Sequence, residues 1–396
     1  MATPTPTSCT PAQAAATSAS EPLSSAEAAS EGTTAFEAAP ARLPDGDVPL
    51  VTVERRGSGL AIETTPVSTR EEAAAVATDA AVGDDLVSVV PDVPVSATEF
   101  STSRSRRVVA ASSSDPRRGE QWALDRAAFE SAWSLTNGSG VTVAVVDTGV
   151  QSDHTDLVGQ VLPGRRFSDN GTESAMNPAF DDNGHGTHVA GIISAVANNA
   201  VGVTGAAPGV QILPVKVLNS SGSGWDSDVA RGINWAVANG AKVINLSLGG
   251  ASAGPSDTAV ENAVINGVMV FAAAGNGGAG GGPEHPAAAA SAIAVASVDQ
   301  SLARSSFSTT GAYVDLAAPG GSILSTYAGS TYATLSGTSM ATPYAAATGA
   351  LVRARHPSWT VAQARERLLT TADDLGASGR DNEYGCGLID PVAAAG

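Results

Sequence analysis

Cysteine is scarce in this chain of 396 residues, which contains only Cys9 and Cys386. Two cysteines so far apart provide none of the close pairs from which zinc sites are built. Cys9 lies in a low-complexity segment, so the sequence favours no structural disulfide with Cys386. It leaves the redox compartment open.

Basic residues and long apolar runs are also few. Lys and Arg number 21 against 39 Asp and Glu, which gives a net charge of −18. An acidic surface argues against nucleic acid and anionic membranes as partners. No apolar run approaches the ~20 residues of a membrane span. Met1 to Ser20 shows no basic segment followed by an apolar one, as a secretory signal peptide would.

Aromatic residues make up only 4% of the chain, whereas glycine occurs 43 times and hydrophobic residues reach 43%. This composition is typical of a compact α/β protein with tight loops. The length allows one large domain and a smaller one.

The N-terminal part divides into three regions. Residues 1–44 are rich in Ala, Ser, Thr, Glu and Pro without periodicity, so we expect disorder. Residues 45–100 predict a small α+β domain, and 101–117 an exposed processing linker with several arginines. The elements predicted in the small domain are strand Val48–Val53, helix Ala73–Ala81 and strand Leu86–Val90.

Apolar strands alternate with helices over residues 118–396, where we expect the large domain. The strand Val141–Val146 is apolar throughout, as in strands buried on both faces. This alternation predicts a parallel sheet with helices on both sides and a site at the carboxyl ends of the strands. The other predicted elements are Ala127–Leu135, His188–Val196, Ile212–Leu218, Ser227–Asn239, Val243–Leu248, Thr258–Asn266 and Val268–Ala273.

A serine in a turn of small residues precedes a buried helix near the C-terminus. The run Gly337-Thr338-Ser339-Met340-Ala341-Thr342-Pro343 leads into the apolar stretch Met340–Val352. Ser339 therefore lies at a helix N-terminus, where unpaired N–H groups and the helix dipole favour negative charge. It is either a nucleophile or an ordinary helix cap.

Three further polar residues stand at the ends of predicted elements. Asp147 follows the strand Val141–Val146, His185 lies between two glycines before a helix, and Asn276 follows another strand. Each of them, taken alone, could equally be an ordinary turn residue with no catalytic role. His188 comes three residues after His185, but no carboxylate stands at ligand spacing. We therefore interpret His185 as a base and His188 as a hydrogen-bonded core residue, not as a metal pair.

The phrases VAVVDTGV, DNGHGTHVAGI, NLSLGG, AAAGN and SGTSMATP occur in this order and resemble the subtilisin-like serine proteases. The resemblance covers 118–396 and implies a three-layer α/β fold with a mostly parallel central sheet. It implies that Asp147 orients His185, which takes the proton of Ser339 as Ser339 attacks. Asn276 and the Ser339 N–H would bind the oxyanion, and no cofactor would take part in catalysis.

The resemblance also predicts how peptide substrates bind. A substrate would lie as an extended strand between 221–224 and 247–249 and pair through main-chain hydrogen bonds. No Asp or Glu is expected among the walls of the pocket for the residue before the scissile bond. This favours a large apolar residue there, although Glu284 is close enough in sequence to question it. The expected substrate-binding residues are Leu218, Gly222, Ser223, Gly224, Ser247, Leu248, Gly249, Ala273 and Gly275.

Residues 198–203 resemble a loop that holds a structural calcium in this family. Carboxylate, amide and backbone carbonyl oxygens suit such a hard cation. The alternative is an ordinary turn rich in asparagine. The expected ligands are Asp115, Asp156, Ala197, Asn199, Val201 and Val203.

The small domain stands where the family carries a ferredoxin-like prodomain that inhibits the enzyme and assists its folding. Its tail would lie in the cleft, with Phe100 in the apolar pocket. Self-cleavage after Phe100 would give a mature enzyme that starts at Ser101. The rival site is Arg106-Arg107, cut by another protease. The resemblance thus predicts a secreted, monomeric, self-processed endopeptidase that acts on proteins and peptides.

Three other interpretations compete with this one. Serine-carboxyl peptidases use a Glu-based dyad and lack the HGTH phrase. A non-catalytic binding module would usually have lost a member of the triad, and an esterase would not need strand-binding segments. The residues favour the endopeptidase over all three.

Overall fold

The computed structural model describes residues 9, 22–39, 43, 47–83, 85–97, 99–101, 113–168, 172–176 and 179–396. The helices are α1 Ser25–Ala38, α2 Arg70–Ala80, α3 Trp122–Arg126, α4 Phe129–Ala132, α5 His185–Ser194, α6 Asp226–Ala238, α7 Pro255–Ile265, α8 Thr338–Arg355, α9 Val361–Thr370 and α10 Pro391–Ala395. The strands are β1 Val48–Arg56, β2 Gly59–Val67, β3 Leu86–Pro91, β4 Pro94–Ala97, β5 Phe100–Ser101, β6 Thr142–Asp147, β7 Gly164–Ser168, β8 Thr172–Met176, β9 Gln211–Lys216, β10 Ser223–Trp225, β11 Val243–Leu246, β12 Leu248–Gly249, β13 Met269–Ala273, β14 Ile293–Val298, β15 Val314–Pro319, β16 Ile323–Tyr327 and β17 Thr331–Ser336.

The small N-terminal domain is built on an antiparallel sheet of order β2-β1-β3. Helices α1 and α2 pack on it around buried residues such as Leu50, Ala73 and Leu86. Along the chain the described elements run α1-β1-β2-α2-β3, and β1 is the central strand of the sheet. The ferredoxin-like arrangement of this domain stays a prediction.

The expected disorder of residues 1–44 is wrong for 25–38, which form α1. Ser24 and Glu27 make a reciprocal capping box at its start. Ala28 and Ala35 are buried in the small core, and the Glu31 carboxylate accepts a hydrogen bond from the Val89 N–H at 3.0 Å. A buried stripe made of alanines is a weak periodic signal, so composition suggested disorder where tertiary packing supports a helix.

The large domain has three layers around an eight-stranded sheet of order β15-β14-β13-β11-β6-β9-β7-β8. All strands run parallel except β8, which is antiparallel to β7. In β6, Val143 and Val145 face the core shared with α5 and α8, whereas Ala144 and Val146 face the core shared with α6 and α7. A strand buried on both faces must be apolar throughout, and this confirms the predicted α/β fold.

Most predicted elements of the large domain agree with the structure within three residues at each end. The helix predicted at Ala127–Leu135 is instead split into α3 and α4, because Ala128 has a left-handed φ of 51°. The strand predicted at Val243–Leu248 is interrupted after Leu246, and β12 follows as a separate strand. Strands β2, β7, β8, β10 and β14 to β17 and helices α9 and α10 have no counterpart among the predicted elements.

A disulfide joins Cys9 to Cys386, contrary to the sequence-based expectation. Cys386 is buried, and Cys9 packs against the large core. The two residues are 377 positions apart in sequence. The composition around Cys9 carries no information about which distant surface it contacts, which is why the prediction failed.

Within the described ranges, no helix has both the length and the apolar character needed to cross a membrane. The predicted processing site at Arg106-Arg107 lies outside these ranges.

Candidate active site

The end of β6 and the start of α5 bring an acid and an imidazole together. Asp147 is the last residue of β6, and His185 is the first of α5. A Cβ on Gly186 would lie 2.0 Å from the Gly149 carbonyl oxygen. Only glycine at this position therefore lets α5 begin so close to the end of β6.

His185 and Asp147 form a fully buried pair. The His185 Nδ1 lies 2.7 Å from Asp147 Oδ1 and 2.9 Å from Oδ2. The Thr148 N–H donates to the same carboxylate at 2.6 Å. With the Nδ1–H directed at Asp147, the Nε2 atom is left as the reactive nitrogen, and it has no partner among the described residues.

The charges around His185 favour its imidazolium form. Burial alone lowers the pKa of His185, but the Asp147 carboxylate, with smaller contributions from Glu99 and Asp181, raises it to about 9. His188 behaves in the opposite way, because burial and the neighbouring His185 lower its pKa to about 3.

His188 is a neutral core residue, as predicted. Its Nε2 lies 3.1 Å from the carbonyl oxygens of both Ile323 and Ala333. These contacts direct the ring into the protein rather than toward the cleft.

Ser339 lies in the first turn of α8, but it does not cap the helix. Gly337 occupies the cap position and makes no side-chain cap. The Ser339 hydroxyl donates to the Ser247 carbonyl at 3.0 Å, and the Ser247 hydroxyl donates back to the Ser339 carbonyl at 2.8 Å. The alternative role as an ordinary cap is therefore excluded.

Asn276, beyond the end of β13, presents an unused donor. Its Oδ1 accepts from the N–H and the hydroxyl of Thr338, both at 3.0 Å. Its Nδ2 is buried and has no partner among the described residues. Thr338 precedes Ser339, so this amide is fixed beside the serine with its N–H groups available to a developing anion.

The tail of the small domain occupies the cleft as the strand β4, which lies between β10 and β12. Ser96 lies opposite both Ser223 and Gly249, and Ala97 lies opposite Leu248. The Ala97 N–H donates to the Gly222 carbonyl at 2.8 Å. The segments expected to hold substrate thus hold a strand of the same chain.

Gly224 also pairs with β4, opposite Val95, whereas Leu218, Ser247, Ala273 and Gly275 do not. Leu218 packs with Val95 of β4 in one apolar cluster. Ala273 is the last residue of β13, and Gly275 follows it close to Glu284.

The backbone of Phe100 lies outside the cleft strands. Its backbone pairs with Ser336 of β17, and Ser101 pairs with Leu335, so β5 has already left the cleft strands. Glu99 instead lies near the active site, where its charge and that of His185 influence each other's pKa. The tail therefore enters the site about two residues earlier in sequence than expected.

An acid borders a cavity beside β4, near the walls that the sequence predicts to be uncharged. Glu284 contributes to a cavity of about 530 Å³ beside β4, together with Gly249 and the glycines near 277–282. The sequence signal for this was only the nearness of Glu284 to the predicted walls.

Asp115 and Asp156 both accept hydrogen bonds from residues of the loop 197–203. Asp115 accepts from the Asn198 N–H at 2.7 Å and the Ala200 N–H at 3.1 Å. Asp156 accepts from the Val203 N–H at 2.7 Å and the Asn199 Nδ2 at 2.8 Å. The described residues contain no cluster of three or more His, Cys, Asp or Glu side chains suited to a metal.

Comparisons with known proteins agree with this geometry. The model of the subtilase family matches residues 138–387. Subtilisin Savinase of Lederbergia lenta is 47% identical over 277 residues, which are 69% of this chain and 97% of that protein. Subtilisin E of Bacillus subtilis is 48% identical over 262 residues, 65% of this chain and 66% of that protein. A solved structure of proteases from Pseudoalteromonas arctica is 34% identical, with a TM-score of 0.66, and the match covers 72% of this chain and 99% of that one.

The first prediction concerns the charge of His185. In the intact Ser339→Ala chain we expect a pKa near 9, so that the neutral base appears only as the pH rises through that value. In Glu99→Gln on the same background the pKa falls, because a carboxylate that stabilises the imidazolium is gone. Titration of the ¹⁵N-labelled histidine side chains by NMR measures both values. His188, neutral over this range, is the internal control, and an unchanged His185 pKa in Glu99→Gln contradicts the assignment.

Proposed function

The chain belongs to the subtilase family and is a serine endopeptidase, and we propose on this basis that Asp147, His185 and Ser339 hydrolyse peptide bonds through an acyl-enzyme. The observation that carries the proposal is the buried Asp147–His185 pair. Its open Nε2 accompanies a serine at a helix N-terminus and an unused Asn276 amide. A base, a nucleophile and an anion donor are the parts that acyl transfer requires.

In the proposed mechanism, the substrate takes the place of β4. The Ser339 hydroxyl turns from the Ser247 carbonyl, transfers its proton to His185 Nε2 and attacks the peptide carbonyl. Asp147 stabilises the imidazolium, while Asn276 Nδ2 and the Ser339 N–H donate to the oxyanion. The imidazolium then gives its proton to the leaving amine. A water molecule then gives a proton to His185 and attacks the acyl-enzyme, which releases the acid product and restores the Ser339 hydroxyl.

We also propose that the small domain is an inhibitory prosegment. Strand β4 uses the main-chain groups of both β10 and β12 that a substrate would need. A second contact lies at the start of α6, where the Asp92 carboxylate accepts from the Ser227 N–H at 2.9 Å and from its hydroxyl at 2.6 Å. A carboxylate at a helix N-terminus is stabilised by the dipole, so this contact strengthens the docking of the domain.

The register of β4 suggests which bond is cut. Ser96 faces Gly249 and Ala97 faces Leu248, and Ser247 is the residue that directly precedes Leu248. The Ser247 carbonyl is the group that Ser339 Oγ contacts. We therefore propose self-cleavage at the bond before Glu99 rather than after Phe100, although residue 98 itself is outside the described ranges.

We expect a fluorophosphonate to label Ser339 in the wild-type chain and not in His185→Ala or Ser339→Ala. The first cleavage product of the wild-type chain should begin at Glu99, whereas isolated Ser339→Ala should remain uncut. N-terminal sequencing and mass spectrometry measure both, and finding the chain in the medium would support the secretion that we propose.

Three results would count against this account. Labelling that survives in His185→Ala removes the base from the mechanism. Isolated Ser339→Ala that is cut at Arg107 assigns processing to another protease. A mature chain that starts at Ser101 places the cut after Phe100, as predicted from the sequence, and not before Glu99.

We further propose that the loop 197–203 binds a structural calcium. Asp115 and Asp156 are buried near each other, and burial together with the Asp115 charge raises the pKa of Asp156. Within the described residues, the carbonyl oxygens of Ala197, Val201 and Val203 accept no hydrogen bond. Asn199 now turns its Nδ2 toward Asp156, so its amide would have to rotate to offer oxygen. Excess negative charge beside unused carbonyl oxygens suits Ca²⁺.

Calcium should stabilise the folded chain on a Ser339→Ala background, by about 2.7 kcal/mol at 100 times its dissociation constant. The thermal unfolding midpoint should rise with Ca²⁺, fall with a chelator and respond little to Mg²⁺. Asp156→Asn should abolish the response, whereas Asp153→Asn, an exposed neighbour, should keep it. Equal responses of these two variants to Ca²⁺ would refute the site.

A further inference from the structure

The cavity beside β4 is walled mainly by groups without long side chains. It has a volume of about 530 Å³ and is bordered by Gly249, Gly250, Gly277, Gly281 and Gly282. Residues 94–96 of the prosegment form its other side. This space lies where a substrate side chain would extend from the strand position of β4.

The Glu284 carboxylate is wedged between two of the backbone segments that form this wall. A Cβ on Gly249 would lie 2.5 Å from Glu284 Oε2, and one on Gly275 would lie 2.6 Å from Oε1. Both positions therefore need glycine to leave room for the carboxylate. The Asn276 N–H also donates to it, which connects Glu284 to the residue that would bind the oxyanion.

The charge of Glu284 is not balanced within the described part of the chain. No Lys, Arg or His there forms an ion pair with it. Burial raises its pKa, because the ionised form loses contact with water, and the Asn276 N–H opposes this only in part. A cation that enters the cavity would therefore gain more from this carboxylate than it would from an exposed one.

We propose that Glu284 makes this pocket select lysine or arginine as the residue before the scissile bond. The glycines leave room for a long side chain, and Glu284 supplies the countercharge that desolvation of its cationic end requires. This replaces the large apolar residue expected from the sequence, and it rests on the endopeptidase function proposed above.

The chain itself contains peptide bonds of the selected kind. Arg104, Arg106 and Arg107 lie in the segment that follows the first cut. A pocket that selects arginine would let one processed molecule trim this segment from another. No second protease is then needed for cleavage at the Arg106-Arg107 site.

The test compares peptide nitroanilides Ala-Ala-Pro-X, in which X is Lys, Arg, Gln, Leu or Phe. With the wild-type enzyme we expect kcat/KM to be higher for Lys and Arg than for Phe. Glu284→Gln, nearly the same size, should lower kcat/KM for Lys and Arg about 10- to 100-fold and leave Phe within about threefold, as expected for loss of one charged hydrogen bond. Glu261→Gln is the matched control, since it removes another half-buried carboxylate that does not line the cavity.

The pH dependence gives a second readout that a structural role would not produce. The ratio of the Lys to the Phe rate should rise with pH as the Glu284 carboxyl ionises, and it should be flat in Glu284→Gln. An unchanged ratio in Glu284→Gln, or an equal loss for all five substrates, overturns the proposal. If the wild-type enzyme cuts none of them and Ser339 is not labelled, it is the proposed function that has failed.

A separate observation concerns the disulfide, which spans the proposed cleavage site. Cys9 precedes the small domain, Cys386 belongs to the large one, and the bond before Glu99 lies between them. These are the only cysteines of the chain, so no alternative pairing exists within it.

We infer that self-cleavage leaves the inhibitory domain tethered, and that reduction by a dithiol is needed to free it. The dithiol is oxidised to its own disulfide as Cys9 and Cys386 become thiols. A covalent tether holds an inhibitor at a local concentration of the order of mM, so dilution alone would not relieve inhibition. After reduction the domain can diffuse away.

Limited trypsin cleavage of the Ser339→Ala chain in the 101–112 segment tests the tether without relying on self-cleavage. Denaturing gels should show one full-length species without reductant and two fragments with it. Cys386→Ser should give two fragments in both cases. For self-cleaved enzyme, dilution should activate Cys386→Ser at once but wild type only after reduction. Fragments that separate from the wild-type chain without reductant would disprove the tether.

Discussion

The buried pair of Asp147 and His185 is the interaction on which the rest of the site depends. Removing both groups from water is costly, and the short hydrogen bonds between them offset that cost only in a narrow geometry. The geometry follows from β6 ending inside the sheet and from Gly186 allowing α5 to start against Gly149. The position of the His185 ring against Asp147 thus depends on both the apolar strand β6 and Gly186.

The cleft binds an extended strand through main-chain groups on both of its sides. Strands β10 and β12 leave main-chain donors and acceptors facing a gap that one extended strand can fill. In this structure the chain's own β4 fills it, with both edges paired. In the proposed function, inhibition and substrate recognition therefore depend on the same main-chain groups. The contact of Asp92 with the start of α6 gives the small domain a second attachment, next to β10.

Acidic groups surround the reaction centre, and their positions give them different roles. Asp147 raises the pKa of His185 directly, while Glu99, which follows β4, adds a smaller effect of the same sign. Glu284 stands on the other side of Asn276 and faces the cavity. In the roles proposed for them, these few carboxylates and not the net charge of −18 set the preferred substrate and pH.

The sequence by itself determined the α/β class, most elements of the large domain and the order Asp147, His185, Asn276 and Ser339. Apolar periodicity and turn residues are local signals, and each polar residue directly follows or opens an element that those signals define. The tertiary structure alone decided four other features: helix α1, the disulfide, the register of β4 and the position of the Glu284 carboxylate. Each depends on a contact between residues far apart in sequence, such as Glu31 with Val89 or Glu284 with Gly249. No local pattern records such contacts, because their energy comes from surfaces that meet only after the chain has folded.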